Sequence, residues 1–226
     1  MAASEQLVVK PRKFWRGLKL GPPNPVAARP IEDMPVSKRL FVPLKQHCGA
    51  LCETRVAAGD KVKIGQVLGE SSDPLAAPIH APVSGEVVSV EEHPDPMGQT
   101  TLTVTIENDE ADEWVEAPAP DPDYEQKDAL AMIKAVRQAG VVEAGTGRPV
   151  HTMLNPAERS EEYKFLVGTS GQKPVQVFIV NALDADPALA CNRAVLMTQP
   201  EELGLGVNLV KKIVGWLIKI KQAYVS

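Results

Sequence analysis

The first half of the chain is a series of short segments in which apolar and polar residues alternate, which is the pattern of half-buried β-strands. The alternation is strictest in two segments, and shorter apolar runs precede them: 86–90 and 102–106, then 40–42, 62–64 and 66–68. Gly, Asp and Pro separate these runs and are typical of tight turns. We therefore predict a small β sandwich or barrel over residues 38–110.

A helical pattern begins after residue 122. Asp123 with Gln126 three residues later matches a helix-starting capping box, and Gly140 is placed to end the helix. The apolar residues between them recur on one helical face: Leu130, Ile133 and Val136. We predict a helix of about four turns.

The C-terminal part predicts alternating strand and helix. Residues 175–180 are a continuous apolar run typical of a buried strand, and Thr198 with Glu201 begins a long apolar helix to about residue 222. Residues 223–225 have the pattern of a further strand. A strand, a crossover helix and a strand in this order predict a right-handed βαβ unit and a parallel sheet.

Composition adds boundaries to this picture. Residues 1–37 are polar and interrupted by Pro, which favours an extended N-terminal arm, whereas residues 111–122 are acidic and then Pro-rich, as in linkers. The predicted fold class is mixed α+β: an arm at 1–37, a barrel at 38–110, a linker at 111–122 and an incomplete α/β region at 123–226.

Charge and cysteine content restrict the function. A formal net charge of -5 argues against a nucleic-acid partner, because phosphate binding relies on clustered Lys and Arg. Three Cys are too few for a disulfide scaffold and fit a reducing compartment. The most apolar stretch, 213–218, is too short to span a bilayer, and residues 1–10 lack a secretory signal. We expect a cytoplasmic protein, with any membrane association peripheral.

Residues 56–68 and 77–87 resemble the hammerhead of barrel-sandwich hybrid domains, as in biotinyl and lipoyl carriers. A swinging-arm carrier exposes a Lys at the tip of the hairpin between these halves. The corresponding segment, 70–76, contains no Lys. A structural barrel is therefore favoured over a covalent carrier, because the acylation chemistry requires the amine.

Four motifs in order, 14–17, 30–35, 42–50 and 106–109, resemble the opening segments of the C subunit (RnfC) of Rnf-type ion-translocating electron-transport complexes. The resemblance implies electron transfer on the cytoplasmic face of the inner membrane, with other subunits of the complex as partners. The A subunit of the sodium-translocating NADH:quinone reductase (NqrA) is the nearest alternative family.

The same resemblance implies a flavin-type site in the later half of the chain, like the FMN- and NADH-binding fold of NADH dehydrogenases. The matching positions are Gly145, Gly147, Arg148, His151, Asp184 and Asp186. Ala144 and Thr146 stand where the family has small residues or Gly, and Arg148 stands where Phe is expected. Because a phosphate cradle needs backbone N–H groups exposed by Gly, we expect FMN and NADH to bind weakly or not at all.

Metal centres are not expected in this chain. A [4Fe–4S] cluster needs about four closely spaced Cys thiolates, and the family's Cys-rich part has no counterpart here. His47, Cys48 and Cys52 lack a fourth ligand for a metal. Three functions remain open: an electron-transfer subunit, a non-catalytic scaffold that has lost the flavin and cluster sites and docks partner subunits, or a quinone-reductase subunit like NqrA.

Overall fold

The computed structural model describes residues 31–95, 98–116, 123–154, 175, 178–181 and 190–215. The chain divides into two compact units. One unit is Pro35–Pro174, and the other combines Met1–Met34 with Val175–Ser226. Each unit is described by itself.

The described part of Pro35–Pro174 contains seven strands. They are β1 (Arg39–Pro43), β2 (Glu53–Thr54), β3 (Lys61–Val62), β4 (Val67–Glu70), β5 (Ile79–His80), β6 (Gly85–Pro94) and β7 (Thr100–Asn108). One sheet has the order β1-β7-β6-β3 and the other β2-β4-β5, with all neighbouring strands antiparallel. The β structure predicted for residues 38–110 is confirmed.

The core of this unit is an apolar cluster contributed by both sheets. Leu68 of the smaller sheet and Val104 and Ile106 of the larger sheet are fully buried. In the larger sheet Val42, Val104 and Val90 lie opposite one another, so their side chains share one face. Burial of such side chains contributes roughly 1.5–3 kcal/mol each, and this cluster is the main stabilising element of the barrel.

The start of the predicted linker is attached to the barrel. The backbone N–H of Ile64 donates to the carbonyl of Glu113, and the N–H of Val115 donates to the carbonyl of Ile64. Lys63 and Glu113 form an ion pair at 3.0 Å. Residues 113–115 therefore run along the barrel, and the division of the chain into domains within 111–122 stays a prediction.

The helix predicted from Asp123 begins later than expected. Helix α1 is Ala129–Gln138, and its first turn is capped by Asp128, whose carboxylate accepts the N–H of Ala131 at 2.7 Å. Asp123 and Gln126 do interact, but around a short 3₁₀ turn, Tyr124–Gln126. Lys127 is extended after this turn, so no continuous helix can form. The predicted end is confirmed, since Gly140 has φ +68°.

The described part of the region predicted as one long helix, from Thr198 onward, holds one helix, and a shorter helix precedes it. Helix α2 is Cys191–Thr198 and helix α3 is Pro200–Val214. Thr198 ends α2 rather than starting α3, because Pro200 has no N–H to continue the first helix and instead occupies the first turn of the second. Helix α3 ends at Gly215, which has φ +94°. Residues 216–225, including the predicted last strand, lie outside the described residues.

The strand predicted at 175–180 is wrong where it can be examined. Val175 and residues 178–180 are not in a strand, and the side chain of Ile179 is 70% exposed. A buried strand needs sheet neighbours, and no described residue pairs with this segment. Residues 176 and 177 lie outside the described residues. The βαβ unit and the flavin-type α/β fold are therefore not confirmed.

Candidate functional site

The hairpin tip of the barrel, where a carrier domain would present its lysine, is residues 71–77 between β4 and β5. We call it the tip segment. Ala76 and Ala77 are buried, and the residues around the segment come from α1, from the turn that follows α1 and from residues 47–52. The tip segment is thus covered by other parts of the same compact unit.

Helix α1 contributes an arginine to this cover. Nη2 of Arg137 donates to the backbone carbonyls of Ser71 and Asp73, each at 3.1 Å. Arg137 lies in the last turn of the helix. A guanidinium is suited to two such bonds because its donors lie in a fixed plane. Because Arg137 holds backbone atoms, this contact requires the shape of the tip segment and not its side chains.

Two histidines hold the other carbonyls of the tip segment. Nε2 of His151 donates to the carbonyl of Pro74 at 2.8 Å, and Nε2 of His47 donates to the carbonyl of Ala77 at 3.1 Å. The carbonyl of Ala77 also accepts the thiol of Cys52 at 3.4 Å. Both histidines are buried, and His151 is 0% exposed. We call Arg137, His151 and His47 the clamp.

The surroundings of the two clamp histidines favour the neutral ring, because burial lowers the pKa of each. Burial lowers the pKa of His151, against the opposing effect of its bond to Pro74, and the positive charge of Arg137 lowers it further. Burial likewise lowers the pKa of His47, although the bond to Ala77 and the charge of Asp73 oppose the shift. Nδ1 of His151 is buried and has no hydrogen-bond partner among the described residues. A second proton on this ring would therefore have no acceptor there.

His47 and Cys52 lie close together, but their surroundings disfavour an activated thiolate. Sγ of Cys52 lies 3.5 Å from Nε2 of His47, but burial raises the pKa of the thiol, and the charge of Glu70 raises it further. A neutral thiol is neither the nucleophile nor the metal ligand. Among the described residues no group of three or more His, Cys, Asp or Glu could hold a metal ion.

Asp73 shapes the tip segment from within. Its carboxylate accepts the N–H of Leu75 and the N–H of Ala50, both at 2.9 Å. These two bonds hold the pKa of Asp73 below its ordinary range. Gly49, beside Ala50, has no room for a side chain, since a Cβ there would lie 2.2 Å from the carbonyl oxygen of Leu75. Residues 47–52 and the tip segment are thus packed backbone against backbone.

The fixed tip favours a structural role for this barrel over a carrier role. A swinging arm needs a hairpin tip that projects freely, and here the carbonyls of four tip residues are engaged by other segments: Ser71, Asp73, Pro74 and Ala77. The interpretation of the barrel as structural, made from the missing lysine, thus has a second and independent basis.

The loop matched to the flavin site follows α1 and forms a tight hairpin. Val142 and Pro149 pair as an isolated antiparallel bridge, and the N–H of Glu143 donates to the carbonyl of Arg148 at 2.8 Å. Gly147 has φ +69°, and its carbonyl accepts the N–H of Cys48 at 2.8 Å. The loop is therefore attached to the barrel at Cys48.

An internal carboxylate occupies the centre of this loop. Glu143 accepts the N–H of Gly145 at 2.8 Å, the N–H of Thr146 at 2.7 Å and the hydroxyl of Thr146. The hydroxyl bond, followed by the two N–H bonds, holds the pKa of Glu143 below its ordinary range. The family resemblance implies that a nucleotide phosphate would approach these amides, and the carboxylate of Glu143 already occupies them. The described residues of the loop do not fit the phosphate of FMN or NADH.

The four described residues of the predicted site do not form one cavity. Gly145 and Gly147 lie in the hairpin, Arg148 is exposed, and His151 is directed into the tip segment. His151 is therefore a positioning residue for the barrel and does not line the loop. Asp184 and Asp186 lie outside the described residues, so their place in the site stays a prediction.

Residues that sequence reasoning missed are Glu143 and Arg137. Glu143 stands two residues before Gly145, which is a spacing at which a carboxylate reaches the following backbone N–H groups. Arg137 stands in the last turn of a helix, where Arg is common for reasons unrelated to tertiary contacts. The spacing of Glu143 could therefore have been noticed in the sequence, whereas the position of Arg137 gave no distinctive signal.

The lowered histidine pKa values predict acid sensitivity. His47, His80 and His151 bind protons less readily in the folded state because burial disfavours the charged ring. Their contribution to stability is complete above the ordinary pKa of 6.5 and is lost as the pH falls below it. We expect the urea concentration at the midpoint of unfolding to decrease as the pH is lowered from about 7.5 to about 5.5.

A His151→Gln variant provides the control for this titration. This variant keeps an N–H donor near the position of the ring and removes one of the three histidines that have a lowered pKa. Its urea midpoint should therefore decrease less steeply as the pH falls. Carboxylates with lowered pKa values, such as Asp73, add a second decline only below about pH 4. A midpoint that is constant or rises on acidification to pH 5.5 would contradict the prediction.

Comparison with known proteins places this architecture. Residues 13–111 match the RnfC barrel sandwich hybrid domain. The chain is 30% identical over 201 residues to the C subunit of the proton-translocating ferredoxin:NAD(+) oxidoreductase complex of Clostridium ljungdahlii, covering 88% of this chain and 40% of that protein. It is 32% identical over 177 residues to the C subunit of the Na(+)-translocating ferredoxin:NAD(+) oxidoreductase complex of Acetobacterium woodii, covering 78% of this chain and 37% of that protein.

A third relative is the C subunit of the ion-translocating oxidoreductase complex of Vibrio cholerae, 28% identical over 188 residues, covering 82% of this chain and 22% of that protein. The barrel is thus a barrel-sandwich hybrid domain of the kind found in electron-transport subunits. The chain is similar to the N-terminal part of RnfC family members, with the family's barrel domain at residues 13–111. It spans less than half the length of these three relatives, all of which are C subunits, so they give no support to the quinone-reductase alternative.

Proposed function

We propose that this chain is a subunit of a membrane-associated, ion-translocating electron-transfer complex, in which it has the role of the N-terminal part of the C subunit. The observation that carries the proposal is the similarity to named C subunits over 78–88% of the chain. This similarity extends past the barrel into the region after residue 123. If the barrel and the region after residue 123 both dock into one complex, similarity to the C subunits is expected in both.

In this proposal the chain lies on the cytoplasmic face of the inner membrane and contacts other subunits of the complex. No helix among the described residues is long and apolar enough to cross a bilayer. In the proposal, partner subunits attach the chain to the membrane. The region from residue 123 onward is proposed to descend from the flavin-binding fold of NADH dehydrogenases, with Arg148 and the acidic residues Asp184 and Asp186 as remnants of its site.

A docking scaffold without its own redox cofactor is the second candidate, and the Glu143 carboxylate in the loop favours it. The clamp also supports a scaffold, because a barrel whose tip is fixed offers partners a constant surface. An electron-transfer role and a scaffold role differ in one measurable property. The first requires a redox cofactor bound to this chain, and the second does not.

Copurification tests the proposal. The chain carries an affinity tag in its native host, membranes are solubilised in mild detergent, and the copurifying subunits are identified by mass, with an untagged strain as control. We expect stoichiometric recovery of integral membrane subunits of an ion-translocating oxidoreductase. Recovery of the chain from the soluble fraction without any such subunit, also after chemical crosslinking, would overturn the proposal. Flavin released from the isolated chain by denaturation would favour electron transfer over the scaffold.

A further inference from the structure

In the hairpin loop at residues 143–148, backbone N–H groups and a hydroxyl surround the negative charge of Glu143. The carboxylate of Glu143 accepts two consecutive backbone N–H groups and one hydroxyl, and the N–H of Gly147 returns to the carbonyl of Glu143 at 2.9 Å. Consecutive N–H groups that converge in this way form a concave anion-binding surface. In this chain the anion is part of the loop.

The fit of Glu143 is close. A Cβ placed on Gly145 would lie 2.8 Å from Oε1 of Glu143, so the carboxylate rests directly against the backbone at this position. A side chain at position 145 would therefore displace the carboxylate of Glu143 from its present place. Charge-assisted bonds of this kind are about twice as strong as neutral ones, and a second anion at the same amides would meet the like charge of Glu143.

From these contacts we propose that Glu143 is a built-in anion that closes the loop at residues 143–148 to phosphate-bearing ligands. The closure is an autoinhibitory contact within a loop whose family resemblance implies FMN and NADH. It rests on the proposed function only for the choice of those ligands. The occupancy of the amides by Glu143 is a property of the chain itself.

The alternative is that Glu143 only stabilises the turn. Both interpretations give slow exchange of the Gly145 and Thr146 amides in the unmodified protein. The two interpretations differ once the charge of Glu143 is removed. If Glu143 only stabilises the turn, the loop becomes looser and binds no anion. If Glu143 is a built-in anion, its removal exposes amides that can bind phosphate. Exposed Arg148 at the end of the loop adds a positive charge that a phosphate can approach.

The experiment follows the amide resonances of Gly145 and Thr146 in the purified full chain while inorganic phosphate or FMN is added. In the unmodified chain we expect no ligand-dependent shift. In Glu143→Ala we expect amide exchange at both positions to become about tenfold faster or more, and both resonances to shift with added phosphate in a saturable manner. Glu143→Gln, which keeps the shape without the charge, should respond to phosphate less than Glu143→Ala. The control is Glu91→Ala, an exposed carboxylate on β6.

Three results overturn the proposal. They are phosphate- or FMN-dependent shifts of Gly145 and Thr146 in the unmodified chain, the absence of any phosphate response in a folded Glu143→Ala variant, and an equal response in Glu91→Ala. If Glu143→Ala does not fold, Glu143→Gln decides by the same criteria, its response to phosphate supporting the proposal and its lack of response overturning it. Because the measurement uses the isolated chain, its failure is distinct from a failure of copurification with membrane subunits.

Discussion

Replacing Gly49 with Ala is expected to lower the free energy of unfolding by about 3 kcal/mol, because the added methyl group overlaps backbone atoms. A Cβ at this position would lie 2.2 Å from the carbonyl oxygen of Leu75 and 2.8 Å from the backbone N of Ala76. Backbone atoms cannot rotate away as a side chain can. The tip segment must therefore move away from residues 47–52, and the bond from Ala50 to Asp73 is lost with it.

The measurement is urea unfolding of the full chain, followed by hydrogen exchange of the tip segment. A matched control is Ala50→Ser, which adds one atom to the exposed neighbour and should change stability by less than about 0.5 kcal/mol. Exchange should quicken in residues 71–77 before it does in β6 and β7. If Gly49→Ala is as stable as the unmodified chain, then the close packing of the tip segment is wrong.

This result would bear on function as well as on stability. Carrier barrels and this barrel share a hammerhead, but the shared fold does not decide whether the tip moves. Here the decision is made by residues outside the hammerhead, namely Arg137 and His151, which follow the barrel in sequence. A protein that must hold partners at fixed distances gains from such a clamp, because a moving tip would change the surface presented to them.

The barrel could be predicted from sequence because its information is local. In β7 the apolar residues Leu102, Val104 and Ile106 alternate with Thr, and all three pack against the core on one side of the sheet. The very short strands β2 and β5 have only two residues each and carry no such period, so they were not predicted. Their positions depend on β4, with which both pair.

Helix boundaries were less predictable because several residues can serve as caps. Asp123 and Asp128 both precede apolar periodicity, and only the structure shows that Asp128 accepts the N–H of Ala131. The apolar content of 175–180 indicates burial but not a partner strand. A strand requires a neighbour from elsewhere in the chain, and pattern analysis of a single segment contains no information about that neighbour.

In the candidate site, too, local motifs could be predicted from the sequence and contacts with distant residues could not. Gly145 and Gly147 were found because they stand in a motif, but the motif gave no indication that the carboxylate of Glu143 lies against Gly145. His151 was assigned to the loop by its place in the motif. Its partner is the carbonyl of Pro74, 77 positions earlier in the sequence, and such a contact follows only from how the hairpin of the barrel meets the turn after α1.

Replacing His151 with Ala is expected to lower the free energy of unfolding by about 3 kcal/mol, because it removes a buried hydrogen bond and leaves a cavity. The ring is 0% exposed, and its loss leaves the carbonyl of Pro74 without its 2.8 Å donor. His151→Gln places an amide N–H near the position of Nε2 and should recover about half of the loss. The control is His93→Ala, a partly exposed histidine on β6, which should cost less than about 1 kcal/mol.

A double-mutant cycle with Arg137→Ala then tests whether the clamp acts as a unit. Arg137 and His151 hold carbonyls one residue apart, at Asp73 and Pro74, so once either contact is lost the tip segment can leave the other. We expect the two losses in stability to be non-additive by about 1 kcal/mol, the double variant being less destabilised than the sum of the single variants. Strict additivity would mean that the two residues act independently of each other, and the fixed tip would then need another cause.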